Sequence, residues 1–165
     1  YLNDGNQKPV RAKQGNAHAY LGAPYGVYKT KDSYISLAMG SLLTLGEVLK
    51  CDALATYTDA DSWFTNRDEI MDILRSFLIE KSTDEWLAII EPAGIWCSDV
   101  YDYKKLLDHE AYKVLKMDQR LQLLSGEEVH TTRCPIRMND ERLFSGKPAP
   151  RVGQHTEDII KEFNL

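Results

Sequence analysis

The strongest hydrophobic pattern of the chain runs through "NRDEIMDILRSFLIE", residues 66–80. Its apolar residues recur at i, i+1, i+3, i+4, i+7 and i+8, which is typical of a helix with a wide face turned to a core. These residues are Ile70, Met71, Ile73, Leu74, Phe77 and Leu78. The pattern predicts the main helix of the fold, with Asn66 in a position to cap its N-terminus.

Other helices are indicated by caps and by shorter apolar stripes. Ser82 followed by Glu85 is a capping box and predicts a helix that contains Trp86, Leu87 and Ile90 and ends at Pro92 and Gly94. Helical spacing also occurs in 41–49 and is expected from about 103 to 115, whereas 50–65 suggests short helical pieces or loop. The two main helices are expected to pack Ile70, Leu74, Phe77, Trp86, Leu87 and Ile90 against a hairpin at 25–38.

Two stretches have the residues of β-hairpins. "PYGVYKT" and "YISLAMG" are rich in strand-favouring residues and flank a Lys-Asp-Ser break. "RLQLLSGEEVHTTR", residues 120–133, alternates around a Ser-Gly turn and predicts a second hairpin. The combination predicts an α+β fold, with a small domain of helices packed on antiparallel hairpins and a polar tail at each end.

The last element predicted is a short helix near the C-terminus. Thr156 is a candidate N-cap, and Ile159, Ile160 and Phe163 form one apolar stripe. A helix of about eight residues is marginal alone in water. It is therefore expected to dock on another surface.

Composition and charge exclude several classes of partner. Apolar residues make up 43% of the 165-residue chain, which is enough for a core, and the net charge of −5 argues against a nucleic-acid surface. No apolar run approaches the roughly 18 to 20 residues that span a bilayer. The three widely spaced cysteines, Cys51, Cys97 and Cys134, suggest reduced thiols in a cytoplasmic protein and are expected to be small core residues. The start at Tyr1 hints at truncation.

The residues alone indicate no catalytic centre and no metal site. The four histidines, at 18, 109, 130 and 155, stand in separate segments and are expected to be surface or capping residues. No CxxC pair, nucleophile elbow, P-loop or dinucleotide fingerprint is present in the sequence.

Several stretches, read in order, together resemble the family III CoA-transferases, also called the CaiB/BaiF family. They are "GNAHAYLGAPYGVYKTKDSYISLAMG", "STDEWLAIIEPAGIWCSDVYDYKKLLDHEAYK", "CPIRMND" and "GKPAPRVGQHTEDIIKEF". The likeness runs from about Asn16 to Leu165, and the ordered set is specific although no single motif is.

The resemblance implies that the chain is a C-terminal fragment of a larger enzyme. Residues 1–22 would be a linker from a missing Rossmann-like large domain, 23–134 the small α+β domain, and 135–165 a return linker with the terminal helix of the large domain. The family moves CoA between organic acids through a mixed anhydride on an aspartate, and that aspartate would lie outside this chain. The resemblance also implies a homodimer, acyl-CoA and small carboxylic acids as substrates bound mainly by the missing domain, and no prosthetic group.

One segment of this chain could contribute to the substrate cleft. In some members a glycine-rich loop before the first hairpin covers the reacting centre, and the matching positions here are Ala19, Tyr20, Leu21 and Gly22. They contain no glycine run, so the alternative of an ordinary linker end stays open.

Two other functions stay open beside CoA transfer. Racemases of 2-methylacyl-CoA in the same family tend to carry a glutamate shortly after the hairpin, and the matching position here is Leu43, which cannot move a proton. The third possibility is a non-catalytic interaction module.

Overall fold

The computed structural model describes residues 2–3, 5–15 and 17–165. The chain forms two compact units, Tyr1–Val100 and Tyr101–Leu165, which are described separately below. Asn16, at which the resemblance begins, and Tyr1 lie outside the described residues.

Unit 1 is built on a three-stranded antiparallel sheet in the order β1-β2-β3. The predicted first hairpin is present as β1 (Gly26–Lys29) and β2 (Tyr34–Leu37). A third strand, β3 (Cys97–Asp99), pairs with β2 and was not predicted from the sequence.

The helices of unit 1 follow the hydrophobic pattern closely. They are α1 (Leu42–Leu49), α2 (Ser62–Thr65), α3 (Arg67–Leu78) and α4 (Thr83–Ile90), with 3-10 turns at Asp52–Thr56 and Glu91–Ala93. The capping box of Ser82 and Glu85 is present at the start of α4. The expected cap of α3 is wrong, because the side chain of Asn66 makes no capping hydrogen bond. The backbone of Asn66 instead ends α2, so the two helices follow each other without a separate capping turn.

The core of unit 1 lies between the sheet and the helices. Ile70, Leu74, Trp86 and Ile90 are buried in it as predicted, whereas the flanking Phe77 and Leu87 are only partly buried. The indole of Trp86 donates a hydrogen bond of 2.7 Å to the carbonyl oxygen of Leu78. This bond fixes α4 against the end of α3 and satisfies a donor that would otherwise be buried without a partner.

The turn of the first hairpin is bound to the N-terminus of α4. Asp32 Oδ1 accepts hydrogen bonds from the backbone N–H of Thr83 at 2.9 Å and from the hydroxyl of Thr30 at 3.2 Å. The hydroxyls of Thr30 and Thr83 also lie 2.7 Å apart and are buried. The hydrogen bond from the Thr83 backbone is the main reason that the pKa of Asp32 lies below its ordinary value of 3.8.

We expect the stability of unit 1 to depend on pH through Asp32. Because its folded-state pKa is lowered, its ionised form stabilises the fold above the ordinary value of 3.8, and this contribution is lost as the pH falls through the folded pKa. Denaturation midpoints of the parent and of Asp32→Asn, measured from about pH 6 to about pH 2, should differ most at the upper end and converge at the lower. A difference that stays constant over this range would contradict the assignment.

Unit 2 contains three helices and two antiparallel hairpins. The predicted helix over 103–115 is two helices, α5 (Tyr103–Asp108) and α6 (Glu110–Leu115), separated by an extended His109. The second predicted hairpin is present as β4 (Asp118–Gln122) and β5 (Glu128–Thr132). A small hairpin that was not predicted, β6 (Arg137–Met138) and β7 (Glu141–Arg142), interrupts the polar tether before α7 (Thr156–Phe163).

The terminal helix exposes its apolar stripe. Ile159, Ile160 and Phe163 are all exposed. His155 rather than Thr156 is the N-cap residue, and its side chain makes no capping hydrogen bond. The docking of this helix on a large domain remains a prediction.

The cysteines are not all core residues, contrary to expectation. Cys51 is buried and Cys97 half-buried, but Cys134 is exposed, because its segment follows β5 and precedes β6 outside any core. Among the described residues none of the helices combines the length and the apolarity needed to cross a bilayer.

Candidate cleft segment before the first hairpin

The candidate cleft residues lie in a segment of residues 17–24, called here the pre-hairpin segment, which leads directly into β1. Within it Ala19 and Tyr20 form a turn, in which the N–H of Leu21 points to the carbonyl of His18 at 3.4 Å. Ala19, Leu21 and Gly22 are half-buried, whereas Tyr20 is 50% exposed. Gly22 begins the next turn, in which the N–H of Tyr25 donates to its carbonyl oxygen at 3.2 Å. The four predicted residues therefore lie consecutively across two adjoining turns.

The C-terminal end of the pre-hairpin segment is held by two backbone contacts. The N–H of Ala23 donates to the carbonyl oxygen of Trp63 at 2.8 Å, and the hydroxyl of Tyr28 donates to the carbonyl oxygen of Pro24 at 2.7 Å. Burial raises the pKa of the Tyr28 phenol well above its ordinary value, so it remains a neutral donor.

Gly22 is required by the close approach of two backbones. A Cβ atom at this position would lie 2.9 Å from the carbonyl oxygen of Trp63 and 3.1 Å from the backbone nitrogen of Phe64. Because those atoms belong to the backbone of α2, any larger residue would have to move the segment. The single glycine that replaces a glycine run here thus has a packing role.

The N-terminal part of the pre-hairpin segment contacts the start of α3. The guanidinium of Arg67 donates to the carbonyl oxygen of Ala19 at 2.8 Å and also to that of Val10. Asp68 accepts a hydrogen bond of 2.7 Å from the N–H of Lys13. The polar stretch before β1, called here the lead-in, thus contacts residues far along the chain, and these contacts could not be derived from its composition.

An open cleft adjoins the segment on its C-terminal side, at the end of the sheet where Gly26, Leu37 and Cys97 pair. This strand-end cleft has a volume of about 330 Å³. Its lining includes Tyr25, Gly26, Leu37, Ala38, Trp96 and Cys97. The Trp96 side chain is 77% exposed at its rim.

The chemistry available in the strand-end cleft is limited. Burial is the main cause that raises the pKa of the Cys97 thiol, with a smaller contribution from the charge of Glu91, so the thiol is a poor nucleophile. No carboxylate, histidine or lysine belongs to the described lining. The cleft can bind an apolar group, and the polar side chains of its described lining are the phenol of Tyr25, the hydroxyls of Ser36 and Ser98, the indole N–H of Trp96 and the thiol of Cys97.

The position that was expected to match the glutamate of racemases, Leu43, has no proton-transfer group. Leu43 lies in α1 and is half-buried. Within the described part of the chain, no cluster of three or more potential ligands could hold a metal ion.

The histidines have the surface and capping roles that were expected. His109 caps α6 by accepting from the N–H of Ala111 at 3.1 Å, and His18 accepts from the N–H of Tyr20 at 3.2 Å. One pair was missed: Nε2 of His130 lies 2.5 Å from Oδ2 of Asp118 on the hairpin of unit 2. Both side chains are exposed and line none of the clefts described above, and the contact joins the two strands of the hairpin.

Comparison with known proteins shows the family to which the chain belongs. The family model described as CoA-transferase family III matches residues 1–156. The chain belongs to this family. The resemblance inferred from the sequence is therefore confirmed.

Two curated relatives represent the activities found in the family. Succinyl-CoA:glutarate CoA-transferase of Mus musculus is 26% identical over 154 residues, which cover 90% of this chain and 35% of the relative. Alpha-methylacyl-CoA racemase of Homo sapiens is 28% identical over 154 residues, which cover 87% of this chain and 38% of the relative. The chain thus spans little more than a third of the length of either protein.

A solved structure shows the same fold. A CaiB/BaiF family protein from Brucella suis superposes with a TM-score of 0.62 at 20% identity, over 98% of this chain and 42% of that one. The α+β class expected from the sequence, with helices packed on small antiparallel sheets, is confirmed.

Proposed function

We propose that this chain is the C-terminal portion of an acyl-CoA:carboxylate CoA-transferase. The observation that carries the proposal is the match of the family model to residues 1–156. The relative named succinyl-CoA:glutarate CoA-transferase supports transfer of CoA between organic acids.

We propose that the reaction passes through a mixed anhydride on an aspartate and that this aspartate lies outside the 165 residues. An aspartyl mixed anhydride divides one difficult acyl transfer into easier steps, and it must be protected from water. The described lining of the strand-end cleft contains no carboxylate, histidine or lysine, which supports a chain that contributes walls rather than chemistry. We assign no catalytic residue to it.

The pre-hairpin segment is the part of this chain that we propose to face the reacting centre. Ala19, Tyr20, Leu21 and Gly22 match the position of the covering loop of other members. The hydrogen bonds at Ala19 and Ala23 hold the backbone of this turn at both ends. Such a turn would act as a fixed wall that limits access of water, rather than as a mobile lid.

Racemisation of 2-methylacyl-CoA is the second candidate, because one relative is a racemase. Proton transfer next to a thioester carbonyl needs a base within hydrogen-bond reach. Leu43, at the position that matches the glutamate of racemases, is apolar and half-buried in α1. This observation favours transfer over racemisation.

The proposal includes the remaining properties implied by the family. CoA and its acyl esters would be substrates, bound mainly outside this chain, with a small carboxylic acid as the acceptor and no prosthetic group. The protein would be a cytoplasmic homodimer that binds neither nucleic acid nor membrane. The division into a linker at 1–22, a small domain at 23–134 and a returning segment at 135–165 is part of the same proposal.

We expect the 165-residue chain by itself to transfer no CoA, because the proposal puts the nucleophile outside it. The measurement is chromatographic detection of glutaryl-CoA formed from succinyl-CoA and glutarate, with a panel of other carboxylic acids. Transfer by the short chain would contradict the proposed position of the nucleophile.

The transfer assay and a deuterium-incorporation assay, both on the longer polypeptide that contains this chain, separate the candidate functions. Formation of a new acyl-CoA supports the transferase. Incorporation of deuterium from D₂O at C2 of a 2-methylacyl-CoA, without transfer, supports the racemase. If neither reaction occurs, the fold serves as a non-catalytic interaction module.

A further inference from the structure

We propose that Arg67 is the positioning residue that fixes the pre-hairpin segment, and with it the wall of the substrate cleft. That the segment forms a wall of the substrate cleft rests on the proposed function. That Arg67 anchors the segment rests only on the contacts of its side chain.

Arg67 is an unusual residue for its position. It is the first residue of α3, where the helix dipole disfavours a positive charge. It is also only 6% exposed, and a buried charge is costly unless it is hydrogen-bonded. Neither the helix dipole nor apolar core packing therefore explains an arginine there.

The contacts of the guanidinium compensate for the burial of its charge. It donates to the carbonyl oxygen of Ala19, 48 residues away in sequence, and to that of Val10, 57 residues away. Its carbon atom Cζ lies 4.7 Å from the centroid of the Phe64 ring, within the range of a cation–π interaction. One side chain thus joins two separate points of the incoming chain to the junction of α2 and α3.

These contacts decide where Tyr20 and Leu21 point. Arg67 holds the carbonyl of Ala19, immediately before these two residues. The hydrogen bond from Ala23 to Trp63 and the close approach of Gly22 to α2 hold the backbone immediately after them. A turn fixed on both sides presents its side chains in one position, which a wall that excludes water requires.

The anchoring can be tested in the 165-residue chain by amide hydrogen exchange with Arg67→Lys. Lysine keeps the charge, but a single ammonium group cannot reproduce the planar fork that reaches two carbonyls. We expect exchange at Lys13, Leu21 and Ala23 to become faster by about tenfold or more, while the amide of Trp86 in α4 is unchanged.

The matched control is Arg75→Lys on the same helix. Arg75 is half-buried and pairs with the exposed Asp72 of the same helix, and lysine keeps its charge, so this substitution should leave the exchange of all these amides unchanged. Gly22→Ala provides a second approach, because it moves the segment away from α2 and should accelerate exchange at Leu21 and Ala23. An Arg67→Lys variant with no local acceleration, or with equal acceleration throughout unit 1, would overturn the positioning role.

The longer polypeptide that contains this chain tests the consequence for the reaction. Arg67→Lys should raise the fraction of acyl-CoA that is hydrolysed rather than transferred, by about twofold or more, and leave the KM for acyl-CoA unchanged. Loss of transfer and hydrolysis in equal proportion would indicate a purely structural role and overturn the proposal. If the parent polypeptide transfers no CoA, the proposed function fails, but the exchange measurement still decides whether Arg67 anchors the segment.

Discussion

Replacing Leu74 with alanine should destabilise unit 1 by about 2 to 5 kcal/mol. Leu74 lies in the middle of α3 and is 0% exposed, within the core formed by α3, α4 and the sheet. The substitution removes buried methyl groups and leaves a cavity that a closely packed core fills only in part.

Tryptophan fluorescence during urea unfolding measures this effect in unit 1 alone. The three tryptophans of the chain, Trp63, Trp86 and Trp96, all lie in that unit. Ile79→Ala, just beyond the end of the same helix, is the control. Its side chain is already 46% exposed, so its truncation should cost less than about 1 kcal/mol. A cost for Leu74→Ala below about 0.5 kcal/mol, the range of a surface substitution, would show that the helix phase is wrong.

The parts of the fold that the sequence predicted are those with local signals. The hairpin of β1 and β2 has strand-favouring residues on both sides of a polar turn, and α3 has a complete helical stripe. The capping box at Ser82 predicts the start of α4 because both of its partners lie within one helical turn. In each case the residues that determine the structure are neighbours in sequence.

The elements that were missed depend on distant or weak partners. β3 has three residues, Cys-Ser-Asp, with no alternation of its own, and it exists because it pairs with β2. The break between α5 and α6 occurs at His109, whose ring nitrogen caps α6 although histidine is a less common cap than serine or aspartate. The hairpin of β6 and β7 has only two residues in each strand.

The candidate site was only partly predictable for the same reason. The resemblance located Ala19 to Gly22, but the residue that holds Ala19 is Arg67, which lies three and four residues before Ile70 and Met71 on the buried face of α3. A polar residue inside an amphipathic helix is ordinarily assigned to solvent. The helical spacing of Arg67 agrees with its burial, but its partners Ala19 and Val10 lie 48 and 57 residues away, and no local pattern encodes them.

Arg133 is expected to have a comparably large effect on unit 2, although it lies outside any helix or strand. Its side chain is 4% exposed and donates to three carbonyl oxygens, including those of Leu115 at 2.7 Å and Lys116 at 2.5 Å. Those two carbonyls are at the C-terminal end of α6, where helical partners are missing and a positive charge is favourable. The third belongs to Cys134. The guanidinium thus joins α6 to the segment that follows β5.

Arg133→Met, which keeps much of the side-chain volume but removes all donors, should destabilise unit 2 by about 2 to 4 kcal/mol. The control is Arg120→Met on β4, because Arg120 pairs with Glu128 on the surface and should contribute less than about 1 kcal/mol. Amide exchange in the ladder of β4 and β5 measures the loss, because unit 2 contains no tryptophan whose fluorescence could report it. Equal effects of the two substitutions would contradict this role of Arg133. They would show that water satisfies the carbonyl groups at the end of α6 as well as the guanidinium does.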